Sequence, residues 1–299
     1  MTDHRSVVIT RLIGGLGNQM FQYAAGRAVA EYGGVPLLLD VSGFQNYELR
    51  RYELGGFAIS SGIASEEQLA AFPHVPHQKG LWAALQKRLI GSLSRSILRE
   101  AHYTYDSRIK TVRLPVLLDG YWQSERYFAQ IATILRREFT IKAELLNPAN
   151  VEMLGKIEKA GGQAVSLHVR RGDYVSNPHT AQYHGICTAD YYLMAAARIA
   201  QHVVNPHFFV FSDDPVWVQA NLKLSQMTTL VQVNDAENGL LDMALMRACR
   251  HHIIANSSFS WWGAWLNESP DKIVIAPARW FARVGNDTRD LIPSAWIRL

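Results

Sequence analysis

Cysteine is scarce in this chain: Cys187 and Cys249 are the only two in 299 residues. Two thiols allow at most one bridge, so a disulfide framework is excluded, and no CxxC spacing supports a metal site. Both are expected as buried free thiols. No apolar run reaches the roughly 18 uncharged residues that span a bilayer. The opening stretch "MTDHRSVVITRLIGGLGNQ" holds a short, strand-like apolar run with no small-residue cleavage site after it. A cytoplasmic protein without a signal peptide is therefore expected. Charge of one sign is sparse too, since 30 Lys and Arg against 26 Asp and Glu leave +4. That suits an anionic ligand but lacks the dense basic clustering of a nucleic-acid binder. Also missing are the GxGxxG and GxxxxGK fingerprints of dinucleotide and P-loop sites, and the GxSxG elbow of serine hydrolases.

What is present is an alternation of short apolar runs and helical patterns. "SVVITRL" reads as a strand, "IGGLGNQ" as a glycine turn, "MFQYAAGRAVAEYG" as a helix stopped at Gly33-Gly34, and "VPLLLDV" as a second strand. Strand, turn, helix, strand implies a parallel βαβ unit. From about Ala160 the pattern repeats through "AVSLHVR", "HFFVFSD", "TTLVQVN", "HHIIANS" and "DKIVIAP", with helical stretches between them. This half reads as a complete doubly wound α/β domain. Two domains are expected, over 1–159 and 160–299. Between the regular parts, Trp82, Leu85, Leu89, Leu93 and Ile97 recur at helical spacing, with Lys87, Arg88, Arg95 and Arg99 on other faces. This predicts an amphipathic helix over 82–99, either packed on its own core or lying peripherally on the inner face of an anionic membrane.

The chemistry concentrates where "AVSLHV" ends. Ligands of open α/β sheets bind beyond the carboxyl ends of the strands. There His168, Arg170, Arg171 and Asp173 fall within six residues. Arginine offers a planar, permanently charged fork suited to phosphate. Adjacent arginines on extended chain point to opposite sides. One is therefore read as binding phosphate and the other as pairing with a carboxylate. A second phosphate site is the helix start "NSSFSWWGAWLN", where Ser257, Ser258 and Ser260 are natural caps and free N–H groups meet the positive dipole end. A third is "GGLGNQ", whose Gly17 permits close approach and whose Asn18 and Gln19 supply amides suited to sugar hydroxyls. Each also has a plain structural reading as ion pair, cap or turn. Asp213-Asp214 is read as a helix start before Pro215 rather than a metal site.

Taken together, these stretches resemble the bacterial α-1,2-fucosyltransferases of glycosyltransferase family 11. "GGLGNQMFQYA" resembles the family's opening motif and "LDGYWQSERYF" its middle motif. "HVRRGDYV" resembles the HxRRxD motif shared with α-1,6- and protein O-fucosyltransferases. "FVFSDDPVWV", "NSSFSWWGAWLN" and "KIVIAPARWF" follow in the family's order. The resemblance implies a GT-B-type fold of two facing Rossmann-like domains. It implies GDP-β-L-fucose as donor, a terminal galactoside on a glycan as acceptor, an inverting α-1,2 transfer, and no required metal or other cofactor.

Roles carry over by position. Arg170 matches the arginine on the β-phosphate, where it would stabilise the departing GDP. His168 matches a nucleotide contact, and Arg171 and Asp173 shape the loop. Asp242 in "GLLDMALM" resembles the acidic residue that reads the guanine edge. Ser257, Ser258, Phe259 and Ser260 resemble the donor-phosphate segment, and Gly17, Asn18 and Gln19 lie on the acceptor side. The base that takes the acceptor proton stays open among Asp173, His168 and Glu125, with transfer lacking a protein base as a further reading. A nucleotide-sugar hydrolase and a non-catalytic nucleotide-sugar or glycan-binding module are the competing classes.

Overall fold

The computed structural model describes residues 6–45, 50–72, 96–172, 175, 182–183, 185–235, 238–283 and 285–299. They form two compact units, one of residues 1–52 and 59–135, the other of 53–58 and 136–299. The division at Leu135/Arg136 corrects the expected boundary at 159/160. The reason is packing: the helix Pro148–Ala160 buries Met153 and Ile157 against Phe209, Phe211 and Leu245 of the second unit. The short segment 53–58 joins that unit through Ala58 N–H to the Thr140 carbonyl at 3.0 Å and the Phe57–Phe139 ring contact.

The first unit holds a parallel sheet of β1 (Val8–Arg11), β2 (Leu37–Asp40), β3 (Gly62–Ile63), β4 (Ser96–Arg99) and β5 (Val116–Asp119). Its order is β3-β2-β1-β5-β4. Helix α1 (Leu16–Gly33) crosses from β1 to β2 and ends at Gly34, whose φ of 59° is a left-handed cap that glycine adopts without a Cβ penalty. Gly26 lets α1 lie close to the sheet, because a Cβ there would stand 2.9 Å from Leu37 Cδ1 and 3.0 Å from Thr10 Cβ. The helix begins at Leu16 rather than Met20. Gly15 is its N-cap, and its carbonyl accepts the N–H groups of Asn18 and Gln19 at 2.9 and 3.1 Å. Gly17, Asn18 and Gln19 therefore sit in a first helical turn and not in a loose glycine loop.

Of the expected amphipathic helix, residues 82–95 lie outside the described residues. Its last part is strand: Ile97 and Arg99 belong to β4, registered with Leu117 and Asp119 of β5. Ile97 packs beside Val7, Ile9 and Leu117, so its apolar side faces the sheet's core with a period of two rather than a helical stripe.

In the second unit β6 (Ala164–Val169), β7 (His207–Ser212), β8 (Thr228–Val231), β9 (His251–Ile253), β10 (Val274–Ala276) and β11 (Ile297–Arg298) form an all-parallel sheet of order β11-β10-β9-β6-β7-β8. Central β6 is buried at every position. Its alternate residues face two cores. Val165, Leu167 and Val169 join Tyr192, Ala196 and Ile199 of the helix Ala189–Ala200 on one face. Ala164, with Phe209 and Phe211 of β7, meets Ile157, Leu245 and Met246 on the other. Strand periodicity thus builds the doubly wound, Rossmann-like arrangement read from the sequence. Cys187 and Cys249 are buried free thiols, and burial raises the Cys187 thiol to about 11. Among the described residues no helix is long and apolar enough to cross a membrane.

Candidate active site

Parallel β6 and β7 end side by side, which sets the geometry at the paired arginines. The last residue of β6, Val169, registers with Ser212. The next two residues on each strand then meet in order. Arg170 Nη1 binds Asp213 Oδ2 at 2.9 Å, and Arg171 Nε binds Asp214 Oδ2 at 3.0 Å. Both arginines are therefore ion-paired, which corrects the expectation that only one would be. The spacing within "VRRGD" could not show this, because the partners lie 42 or more residues away.

The two pairs differ in what else they hold. Asp213 Oδ1 also accepts the Arg171 N–H at 2.8 Å, so this carboxylate grips both the backbone and the Arg170 side chain. Gly172 permits that grip, since a Cβ there would stand 2.7 Å from Asp213 Oδ2. Asp214 caps the helix Pro215–Asn221 through the Trp217 N–H at 3.0 Å, and the Arg171 guanidinium lies 4.2 Å from the centre of the Trp217 ring. Arg171 is thereby wedged between carboxylate and indole as a loop brace. Asp173 lies outside the described residues.

His168 is buried at the end of β6, and its Nδ1 has no hydrogen-bond partner among the described residues. Burial lowers its pKa to about 4; Asp213 opposes the shift and Arg170 adds to it. The imidazole is neutral at physiological pH and can accept or donate a hydrogen bond without carrying charge. Its ring lies 5.5 Å from that of Phe259. This contact joins the β6 end to the helix Ser258–Leu266, which follows β9, the neighbour of β6 on the other side. Ser257 is the N-cap residue, without a side-chain cap bond. Ser260 is fully buried, and its Oγ turns back to the Ser257 carbonyl at 3.2 Å. That hydroxyl serves the helix, while Ser257 is buried at the cap and Ser258 is half-buried in the first turn.

Gly239 opens the helix Gly239–Ala248 close to the Phe259 ring, with a Cβ position 3.6 Å from Cε2. One turn on, burial raises the Asp242 carboxyl to about 6, while a hydrogen bond from Asn234 lowers it. Asn234 Nδ2 donates to Asp242 Oδ1 at 2.7 Å and to Asn150 Oδ1 at 3.0 Å. Asn150 in turn donates to Asn234 and to Asn147. Sequence reading missed this amide chain, because it joins residues 84 positions apart. Its one local signal was a polar residue, Asn234, just after a strand.

The first unit carries the other residues singled out. Gln19 is fully buried and gives its amide hydrogens to the carbonyls of Gly14 and Arg51 at 2.9 and 2.8 Å. It holds the loop that precedes α1. Asn18 is half-buried, and its Oδ1 accepts from Gln123 Nε2 at 2.8 Å. Gly14, at φ 78°, leaves room for it, with a Cβ position 2.6 Å from Asn18 Nδ2. Around this corner the last residues of four strands form an ion network absent from the sequence reading. Arg11 binds Asp40 at 3.0 Å and Asp119 at 3.1 Å, and Arg99 binds Asp119 at 3.2 Å.

Comparison with known proteins gives a consistent picture. The family profile described as Glycosyl transferase family 11 matches residues 99–298. An alpha-1,2-colitosyltransferase of Escherichia coli is 36% identical over 98% of this chain and 99% of its own length. The O-antigen biosynthesis glycosyltransferase WbnK of Escherichia coli is 34% identical over 96% and 99%. The mouse (Mus musculus) galactoside 2-alpha-L-fucosyltransferase Sec1 is 26% identical over 86% of this chain and 63% of its own. Among solved structures, the fucosyltransferase NodZ from Bradyrhizobium superposes with a TM-score of 0.50 at 16% identity, over 87% of this chain and 92% of that one. That likeness concerns the fold, which is of GT-B type with two Rossmann-like units.

Proposed function

Because this chain belongs to glycosyl transferase family 11, we propose that it moves L-fucose from GDP-β-L-fucose to the 2-hydroxyl of a terminal galactoside, with inversion, in surface-glycan synthesis of the O-antigen kind. What supports this reading is that Arg170 and His168 at the end of β6, and the helix start Ser257–Ser260 after the neighbouring β9, meet through the His168–Phe259 ring contact, with Asp242 in the first turn of the helix whose Gly239 lies beside Phe259. The α-1,2 linkage, galactoside acceptor and O-antigen context are drawn from the names of the relatives. Loss of GDP places negative charge on the β-phosphate, and preorganised donors at that point are the main electrostatic demand of the step. Arg170 meets it, aimed by Asp213. The N-terminus of the helix Ser258–Leu266 adds backbone donors and a positive dipole end. His168, uncharged, contacts the nucleotide, and Asp242 accepts from guanine N1–H and N2–H₂. Arg171 and Asp173 shape the loop, with Asp173 assigned on the motif alone. On the acceptor side stand Asn18 and Gly17. With arginine and a helix terminus carrying the pyrophosphate, a divalent ion is not required.

Purified protein incubated with GDP-fucose and lactose in EDTA is expected to give 2′-fucosyllactose, identified by mass and linkage. GDP release without sugar product would favour the hydrolase, and saturable GDP-fucose binding without turnover would favour the binding module. The 36% identity to a colitosyltransferase supports a second reading, in which the sugar is colitose instead. The ratio of kcat/KM for GDP-fucose and GDP-colitose decides between them.

Asp242 supports a pH prediction. Its ionised form is the acceptor, and its pKa stands near 6. As pH falls through that value the carboxylate protonates, so GDP affinity is expected to fall below about pH 6. In Asn234→Ala the lowering hydrogen bond is gone, the carboxyl is anchored less well, and the decline shifts to higher pH. A roughly tenfold weaker Kd for GDP at pH 7 is expected by calorimetry, as the loss of one charge-assisted hydrogen bond implies. An unchanged Kd and pH profile would remove Asp242 from guanine recognition.

A further inference from the structure

Inverting transfer asks for a group to take the proton of the acceptor hydroxyl. None of the three carboxylate and imidazole candidates of the sequence stands out. His168 is held neutral, Glu125 opens the short turn Glu125–Tyr127, and Asp173 rests on its motif. A fourth group, Glu100, was not visible in the sequence.

Glu100 directly follows β4 at the carboxyl edge of the first unit's sheet. Its Oε2 accepts the Tyr121 N–H at 2.7 Å and its Oε1 accepts the Trp122 N–H at 3.0 Å. Gly120 makes this possible, because a Cβ there would stand 2.4 Å from Glu100 Cβ and 3.0 Å from Oε2. Trp122 holds φ 55°, a left-handed conformation that bulky residues rarely adopt. The next side chain, Gln123, is the one bonded to Asn18. Three consecutive residues thus tie Glu100 to the residue assigned to the acceptor side. Two polar atoms of this stretch, Trp122 Nε1 and Gln123 Oε1, are buried without a partner among the described residues. Their side chains are 0% and 8% exposed.

A turn cap alone would explain the two N–H bonds. It would not explain the strained tryptophan, the unmet polar atoms beside it, or a desolvated carboxylate. Burial raises Glu100 to about 7 even though the Trp122 and Tyr121 N–H bonds pull it down, and Asp106 adds to the rise. The charged and titratable neighbours are Asp106, Tyr127, Arg99 and Asp119, with Arg108 bonded to both Asp106 and the Arg99 carbonyl. A carboxylate so poised takes a proton at neutral pH without being a strong acid afterwards.

We propose that Glu100 is the general base of the transfer, in an acceptor-hydroxyl subsite built with Asn18, Trp122 and Gln123. The inference rests on the fucosyl-transfer reading. The acceptor oxygen forms the new bond to C1 of fucose, and the bond from C1 to the β-phosphate oxygen breaks with its electron pair leaving on GDP. The acceptor's proton goes to a Glu100 oxygen and then to solvent. Each of those oxygens retains a lone pair beyond its backbone bond.

The test measures kcat and acceptor kcat/KM from about pH 5 to 9 for wild type, Glu100→Gln, Glu100→Asp and Asp173→Asn, with GDP-fucose and lactose. Wild type is expected to lose about tenfold per pH unit below about 7. Glu100→Gln is expected to lose on the order of 10²–10⁴-fold in kcat and the acid limb with it. Its GDP-fucose Kd should stay within about twofold of wild type, since Glu100 touches acceptor only. Glu100→Asp should keep the limb at reduced kcat. A Glu100→Gln enzyme that keeps the limb, or an Asp173→Asn enzyme that alone loses it, overturns the assignment. Should Glu100→Gln fail to fold, a wild type with no limb near pH 7 overturns it as well. A wild type that binds donor but transfers nothing sinks the parent reading, whereas a normal wild type without the Glu100 signature sinks the base alone.

Discussion

Arg170→Ala is expected to lower kcat for transfer about 10³-fold, with the melting temperature nearly unchanged. The side chain is a quarter exposed and lies just past the last residue of β6, so its removal leaves the strand pairing intact. What goes is the cation proposed to face the leaving β-phosphate, and a preorganised donor of that kind contributes on the order of 10²–10³ in rate. A second effect acts in the same direction. Asp213 loses its guanidinium partner and stays in place through the Arg171 N–H, so an unbalanced carboxylate then faces a pyrophosphate. Arg170→Lys should recover little, because a point charge does not reproduce the fork that meets carboxylate and phosphate together. The comparison with Asp213→Asn is informative: that change keeps the cation and should cost less. Steady-state kinetics at saturating donor test this directly, and near-normal kcat in Arg170→Ala would remove the arginine from catalysis.

The largest loss of stability is expected at Trp262. It is fully buried, with ring centres 5.0 Å from Trp261, 5.2 Å from Trp265 and 5.2 Å from Phe139. Truncation to alanine removes most of this aromatic contact and leaves a cavity that rigid neighbours cannot fill. A cost of about 3–5 kcal/mol follows, read as a lower urea midpoint by circular dichroism. The helix affected is the one whose start forms the proposed phosphate site. Gly263 lets that helix lie against Met246, where a Cβ would stand 3.0 Å from the Met246 side chain. Donor affinity should therefore fall together with stability in Trp262→Ala and largely return in Trp262→Phe. A stable Trp262→Ala protein would mean that this core repacks.

The described part of the fold was legible to different depths. The glycine stop of α1 was readable because a left-handed cap is a local requirement, met by Gly34. The start of α1 was not: the rule that glycine disfavours helix gave way to the backbone bonds of Asn18 and Gln19 to Gly15. Ile97 fitted a helical stripe as well as a strand, and only its pairing with Leu117 separates the two periods. The domain boundary was misplaced because the helix Pro148–Ala160 reveals its sheet only by packing on it.

By itself the sequence determined the parallel α/β class, the phosphate-suited residues at the β6 end and the family. Each of these depends on neighbours in the chain or on motifs a few residues long. Only the tertiary structure decided which charges are balanced. Arg170 with Asp213, Arg11 with Asp119, and Asn150 with Asn234 are pairs made by strand order and helix placement. It also decided which carboxyl groups are poised to titrate near neutrality. Glu100 and Asp242 resemble any other acid in the sequence, and their pKa values rise because folding removes water from around them.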